Sequence, residues 1–395
     1  MRILFLAPQP WFEERGTPIA VDLMLRALSE RGDEIDLLTF HVGEDRWHAG
    51  VTVRRIRPPF APLSIPPGFS WRKAWCDAFL WREAARLMRS RRYDLVHAVE
   101  EASFIAMVLG RLHRVPYVID MDSSMAMQLL AQFPWLRPAA RLLSWVESLP
   151  MRRAIAVVPV CEDLAAQARD FASGIVHVVK DVSLISDAPV ECMEDLRRDT
   201  GIEGPIVMYV GNLERYQGIG LLLQCFAHLH ETHPGAQLVI IGGSDRHVRQ
   251  YRARSRKLGL GEVVHFLGRR PVAALGSYLR QADVLVSPRC EGANTPMKIY
   301  SYLDSGVPVV ATALPTHAQV MTPEEAVLVP PEPAPMAAAI GRLLDDPAER
   351  RRLARNAQNL IRREHSWPAF RRHVDLLFGE LEQRLAQVPE RRSWV

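Results

Sequence analysis

The sequence predicts two doubly wound α/β domains in tandem, each built on a parallel sheet. Three observations carry that prediction. Short apolar runs of strand type alternate with helical patterns along the whole chain. The alternation starts afresh near residue 205. A chain of 395 residues also exceeds what one hydrophobic core usually holds.

The first half reads as a strand over Ile3–Ala7, then a helix from about Ile19 to Arg31 that stops at Gly32. Ile35–Thr39 and Val51–Ile56 read as the next strands. Leu95–His97 and Tyr117–Asp120 follow, separated by a helical stretch around Phe104–Leu112, and Ile155–Val160 closes the half. The second half opens with Ile206–Val210, a helix from about Ile219 to His230, and a strand over Gln237–Ile241. Val264–Leu267, Val284–Ser287 and Val309–Ala311 continue it. The polar, proline-containing stretch that begins at Ser183 joins the halves. The predicted domains are 1–185 and 186–375, with a last helix over about 376–395 packing back on the first.

An apolar fraction of 48% and a charged fraction of 24% are ordinary for a globular protein, which argues against disorder or a fibre. A net charge of +4 gives no reason to expect nucleic acid. Cys76, Cys161, Cys192, Cys225 and Cys290 are scattered, without C-x-x-C or zinc spacing, so free thiols in a reducing, cytoplasmic compartment are expected. The apolar run after Met1 is too short for a signal peptide and reads as a buried strand.

In doubly wound sheets, ligands bind outside the carboxyl ends of the strands. The loop after the first strand runs from Pro8 to Pro18. Gly16 there either admits backbone amides to a ligand or makes an ordinary turn. No G-x-G-x-x-G follows that strand, which counts against a simple NAD-dependent dehydrogenase. In the second half, Gly211–Gly218 and the glycine pair Gly242 and Gly243 follow two successive strands, offering amides to a diphosphate. The segment Ser287–Thr312 is the most informative. A strand ends in a loop carrying Glu291, Pro296 is read as starting a helix, and Gly306 as ending it. Asn294, Thr295 and Lys298 would then surround a helix N-terminus, with Lys298 either a cation for phosphate or a solvated surface lysine.

On these residues the chain resembles a family 4 retaining glycosyltransferase of GT-B fold, over nearly its whole length. Gly16–Thr39 is similar to that family's acceptor-domain opening, Gly211–Gly218 to its first donor-domain loop, Phe266–Arg269 to the strand and turn near the nucleotide base, and Glu291–Thr312 to its paired-glutamate region. The resemblance implies two Rossmann-like domains facing each other across a cleft, the first for the acceptor and the second for a nucleotide-sugar donor. The departures mark a divergent branch. The second family glutamate falls at Ser301 and the first near Ala293, with Glu291 two residues early. The usual basic pair falls at Asn212 and Gln217, leaving Arg215 as the nearby cation. The histidine expected after Ile119 is replaced by Asp120, Met121 and Asp122.

What the resemblance implies is transfer of a sugar from a nucleotide-diphosphate sugar to a hydroxyl acceptor, lipid-linked or a growing glycan, with retention and without a metal or other cofactor. Asp122 and Glu291 are the catalytic candidates. Gly16, Gly211, Asn212, Arg215, Gln217, Gly243, Arg269, Asn294, Thr295, Pro296 and Lys298 are the donor-binding ones. His97, Glu100 and Asp120 are placed at the acceptor or cleft. Asp122 has a second reading as a cap for the helix that follows, and His97 one as a structural histidine. A nucleotide-sugar epimerase and a non-catalytic nucleotide-sugar binder are the alternative functions.

Residues 71–93 interleave Trp71, Trp75, Phe79 and Trp81 with seven basic residues. Residues 134–145 add Trp135 and Trp145 beside Arg137 and Arg141. Both stretches suit an anionic membrane surface on the inner face of the cell membrane, or an amphipathic helix packed on its own sheet.

Overall fold

The computed structural model describes residues 1–63, 65, 68–185, 194–292 and 295–387. The chain divides into two compact units. One comprises residues 1–180 with the chain from Phe370 on, and the other Asp181–Ala369.

The first unit holds a sheet of seven strands: β1 (Arg2–Ala7), β2 (Glu34–Thr39), β3 (Val51–Arg55), β4 (Leu95–Val99), β5 (Tyr117–Met121), β6 (Ala156–Pro159) and β7 (Ile175–Val176). They lie in the order β3-β2-β1-β4-β5-β6-β7 and all pair in parallel. The second unit holds six: β8 (Ile206–Val210), β9 (Gln237–Ile241), β10 (Val264–Gly268), β11 (Val284–Ser287), β12 (Val309–Thr312) and β13 (Val327–Val329). Their order is β10-β9-β8-β11-β12-β13, again all parallel.

The strands are continuous apolar runs because helices cover both faces of each sheet. Successive side chains alternate between those faces. Val207 and Tyr209 join one core of the second unit with Leu238, Ile240 and Val286; Ile206 and Met208 join the other with Val239, Ile241 and Leu285. Each sheet reverses its order between its first and fourth strands, at β1/β4 and at β8/β11, where a doubly wound sheet opens a crevice at its carboxyl edge.

Two sequence expectations are corrected. β6 does not close the first sheet, since the two-residue β7 adds an edge to it. β13 likewise extends the second sheet past β12. Both were too short to register as strand patterns. No helix among the described residues is long and apolar enough to cross a membrane.

Candidate active site

At the crevice of the second unit, the loops after β8 and β11 are fastened together. Gly218, at φ 75°, packs so closely that a Cβ would stand 1.7 Å from the Pro288 carbonyl oxygen. Only glycine fits that approach and that backbone region. Cys290 N donates to Tyr216 O at 2.9 Å across the same seam.

Two cations meet there. The helix Lys298–Asp304 buries Ile299, Tyr300, Tyr302 and Leu303. The Tyr302 hydroxyl donates to Val210 O at 2.9 Å and accepts from Val210 N at 2.6 Å, pinning the helix to the end of β8. Lys298, its first residue, is thereby set over the β8 loop. Its Nζ donates to Gln217 Oε1 at 2.8 Å and stands 4.0 Å from the centre of the Tyr209 ring. Arg289 is the second residue after β11 and is almost fully buried. Its Nε donates to Glu291 O at 2.7 Å, and its guanidinium lies 5.4 Å from the Tyr216 ring centre. Gly292, at φ 133°, leaves the guanidinium room that a side chain would take, since a Cβ would fall 1.8 Å from it. Burial, followed by repulsion from Arg289, pushes the Lys298 ammonium well below the usual lysine range. Burial also lowers Arg289. Both shifts describe a place where positive charge is costly until an anion arrives.

The other donor candidates sit around this pair. Gly211 is at the loop's start, and the Lys298 Nζ lies 3.4 Å from where its Cβ would be. Asn212 is exposed, with Oδ1 accepting from Glu214 N at 3.2 Å. Gln217 is buried against Lys298, and Thr295 is buried with Oγ1 accepting from Gln319 Nε2 at 2.7 Å. Gly243 packs on Leu213, and Arg269 Nε donates to Gly243 O at 3.3 Å. Glu291 is exposed, its carbonyl held by Arg289. Ser301, where the second glutamate was sought, is fully buried, and its Oγ accepts from Leu184 N at 3.0 Å. Asn294 lies outside the described residues.

Three readings change. Pro296 does not start the helix, which begins at Lys298 after a turn at Met297, with Pro296 O accepting from Ile299 N at 2.9 Å. Lys298 is no solvated surface lysine, since Gln217 and Tyr209 enclose it. Arg215 is not the sole cation near the loop. It is exposed, whereas Arg289, which sequence reasoning passed over, comes in from the neighbouring strand. The available signal was its place directly after a strand at the switch point.

In the first unit, Glu100 follows β4 with its backbone in the left-handed region at φ 47°, held by its N donating to Asp120 O at 3.0 Å. That strain for a non-glycine residue sits at the crevice. Its Oε1 accepts from Ser123 Oγ at 3.0 Å. Glu100, Asp120, Ser123, Met125 and Glu147 line a cavity of about 20 Å³. Glu147 accepts from Ser124 Oγ at 2.8 Å and Met125 N at 2.6 Å, while burial raises its pKa. His97 lines no surface. It is fully buried, stacked on Phe5 at 4.3 Å, and its Nε2 lies 3.2 Å from Asp120 Oδ2. Asp122 is half-buried, and the residue at the N-cap of the next helix is Ser124, whose Oγ accepts from Met127 N. Gly16 is the first residue of the helix Gly16–Glu30, with nothing near the position a Cβ would take. Among the described residues, no group of three His, Cys, Asp or Glu is arranged to hold a metal.

Family comparison agrees with this layout. The model for glycosyl transferases group 1 matches residues 193–360, and that for the glycosyl transferase 4-like domain matches residues 15–179. The chain belongs to the family 4 glycosyltransferases. It is 28% identical over 212 residues to the D-inositol 3-phosphate glycosyltransferase of Corynebacterium kroppenstedtii, covering 51% of this chain and 46% of that one. The chain thus spans about half the length of the first relatives it matches. The namesake from Acidothermus cellulolyticus is 28% identical over 87% of this chain and 80% of its own. The alpha-D-kanosaminyltransferase of Streptomyces kanamyceticus is 27% identical over 81% and 86%. In fold, the chain is similar to sucrose-phosphate synthase from Thermosynechococcus elongatus, with a TM-score of 0.78 at 23% identity, covering 98% of this chain and 99% of that one. HepE from Anabaena, solved with UDP, gives 0.75 at 17%, covering 96% and 100%. Both share the GT-B fold of this family glycosyltransferase.

Proposed function

We propose that the chain transfers a sugar from a nucleotide-diphosphate sugar to a hydroxyl acceptor, retaining the anomeric configuration and using no metal. The observation that carries this reading is the convergence of Arg289 and Lys298 over the glycine loop of the second unit. The family's basic pair is replaced by Asn212 and Gln217, yet Lys298 reaches Gln217 from another element. The cation is thus returned to its place by a different route. A buried arginine and a half-buried lysine beside the same loop would stabilise the charge that develops on a leaving diphosphate.

In this reading Gly211, Asn212, Gln217, Gly243, Arg269, Thr295 and Pro296 frame the donor, and Glu291 hydrogen-bonds hydroxyls of its sugar. The acceptor lies against the first unit, where Asp120, Asp122 and Glu100 accept hydrogen bonds from hydroxyls. The leaving phosphate assists deprotonation. HepE is complexed with UDP and with UDP-glucose in solved structures, which makes UDP-sugars the first donors to try. The second reading, a non-catalytic binder, is supported by Ser301 standing in the glutamate position with its hydroxyl already engaged.

We also propose a peripheral attachment at the cytoplasmic face of the membrane, where a lipid-linked acceptor would be found. Leu80, Leu87 and Met88 belong to the core, so the apolar side of the helix Trp71–Ser90 is largely spent on its own sheet. Trp71 and Trp135, at 84% and 74% exposure, still face outward, and Gln132 Nε2 donates to Phe69 O at 3.2 Å, tying their two segments together.

The deciding experiment incubates the protein with UDP-, GDP- and dTDP-sugars and sugar or lipid-extract acceptors, and reads products and their linkages by NMR. Transfer with retained configuration is expected. Binding without turnover for every pairing selects the binder, and an epimerised free donor selects the epimerase.

A further inference from the structure

Three polar side chains at the carboxyl ends of β11 and β12 are fully buried: Ser287, Thr312 and His317. Buried polar groups persist only when hydrogen-bonded. These three satisfy one another in a chain with a direction. His317, on the short helix Pro315–Ala318, places Nδ1 2.7 Å from Thr312 O and Nε2 3.0 Å from Ser287 Oγ. A carbonyl only accepts, so Nδ1 carries the proton, and Nε2 accepts from the serine hydroxyl. The Thr312 hydroxyl then donates to Arg289 O at 2.6 Å. The chain ends on the backbone of the buried arginine of the donor crevice. Arg289 is therefore held twice over, its guanidinium by Glu291 O and its carbonyl by Thr312. His317 has both ring nitrogens occupied and no exposed surface, so it reaches no ligand itself.

We propose that His317 is a positioning residue, which acts through Thr312 to hold the Arg289 loop in the geometry that receives the donor's diphosphate. This rests on the reading of Arg289 as a diphosphate ligand. A loop that carries a binding arginine loses affinity when its anchor is released, because the unbound loop then samples geometries that must be reordered on binding. Thr312 joins β12 to the loop after β11 through its hydroxyl. His317 orients the Thr312 backbone, and Ser287 fixes the imidazole from the far side.

The test measures UDP affinity by calorimetry, with uridine as the probe that lacks the diphosphate. Thr312→Val, nearly isosteric, is expected to weaken UDP binding about three- to tenfold, the usual worth of one hydrogen bond, and to leave uridine binding unchanged. Thr312→Ser keeps the hydroxyl and is expected to bind UDP like the parent. His317→Leu should match the valine variant, whereas His317→Asn, whose amide nitrogen stands where Nδ1 stood, should restore binding. In an Arg289→Ala background, Thr312→Val and His317→Leu should cost nothing further, because residues that act only through a third show no effect once it is gone. Equal losses in both backgrounds would overturn the proposal. So would a Thr312→Val protein of lowered melting temperature and parental UDP affinity. An Arg289→Ala protein that binds UDP as tightly as the parent would instead remove the diphosphate role of Arg289, and this proposal with it.

Discussion

The two crevices of this molecule share one architecture and carry opposite charge. In the second unit, the residues after β8 and β11 gather Lys298 and Arg289, with the neutral His317 behind them. In the first unit, Glu100 directly after β4, Asp120 near the end of β5 and, from a neighbouring helix, Glu147 line one cavity. The sheets differ little in topology, so the fold explains where each crevice lies and not what it binds. A cationic crevice prefers a diphosphate and an anionic one prefers hydroxyls.

The comparison breaks most sharply at the cations. Arg289→Ala with Lys298→Ala removes two charge-assisted contacts, each worth roughly 1.5–3 kcal/mol. UDP affinity is expected to fall by roughly a hundredfold or more, while the melting temperature changes little, because burial makes both charges costly to the folded chain and offsets the contacts they make. Parental affinity in the double variant, read by calorimetry, would mean that the diphosphate does not bind there.

A smaller effect tests how dry the cationic crevice is. Burial first, then the positive charges of Lys298 and Arg289, push the His317 imidazole down from 6.5 to about 4, against a partial offset from its bond to Thr312 O. The unfolded chain therefore takes up this proton at a higher pH than the folded one. Stability is fully present above about 6.5 and is lost as pH falls toward 4, by at most about 3 kcal/mol at 1.36 kcal/mol per unit. His317→Asn, which has no such proton to bind, should lose correspondingly less melting temperature between pH 7 and pH 4 in scanning calorimetry. Parallel curves for parent and variant would show that the histidine is hydrated or charged.

The legibility of the sequence follows the same division. Continuous apolar runs announced most strands, because a parallel sheet covered on both faces leaves them no polar side. The glycine loop at Gly211–Gly218 was also readable, since its spacing and place after a strand are local properties. The source of the cations was not. Nothing local joins Arg289 to Tyr216 or Lys298 to Gln217, 73 and 81 positions away. The contact exists because Tyr302 fixes one helix to β8 and Gly218 fits under Pro288. A search for cations along the first loop alone finds Arg215, which is exposed. His97 failed for a related reason. β4 runs on to Val99, so the histidine read as ending the strand stands in its middle and stacks on Phe5 inside a core.

The smallest expected effect lies on the anionic side, where it separates the two crevices in one measurement. Asp120 accepts at 3.2 Å from a histidine with no exposed surface, so its carboxylate is held from behind while its other face borders the cavity with Glu100. Asp120→Asn keeps the shape and removes the charge. If that carboxylate orients an acceptor hydroxyl, kcat for transfer should fall about tenfold, roughly the worth of one hydrogen bond, and the affinity for UDP should stay at the parental value. Arg289→Ala should do the reverse to UDP affinity. An Asp120→Asn protein that loses UDP binding would show that the charge difference between the units does not divide donor from acceptor. Unchanged kcat and unchanged affinity together would place the acceptor elsewhere on the first unit, since Asp120 would then be held by His97 for the sake of the core alone.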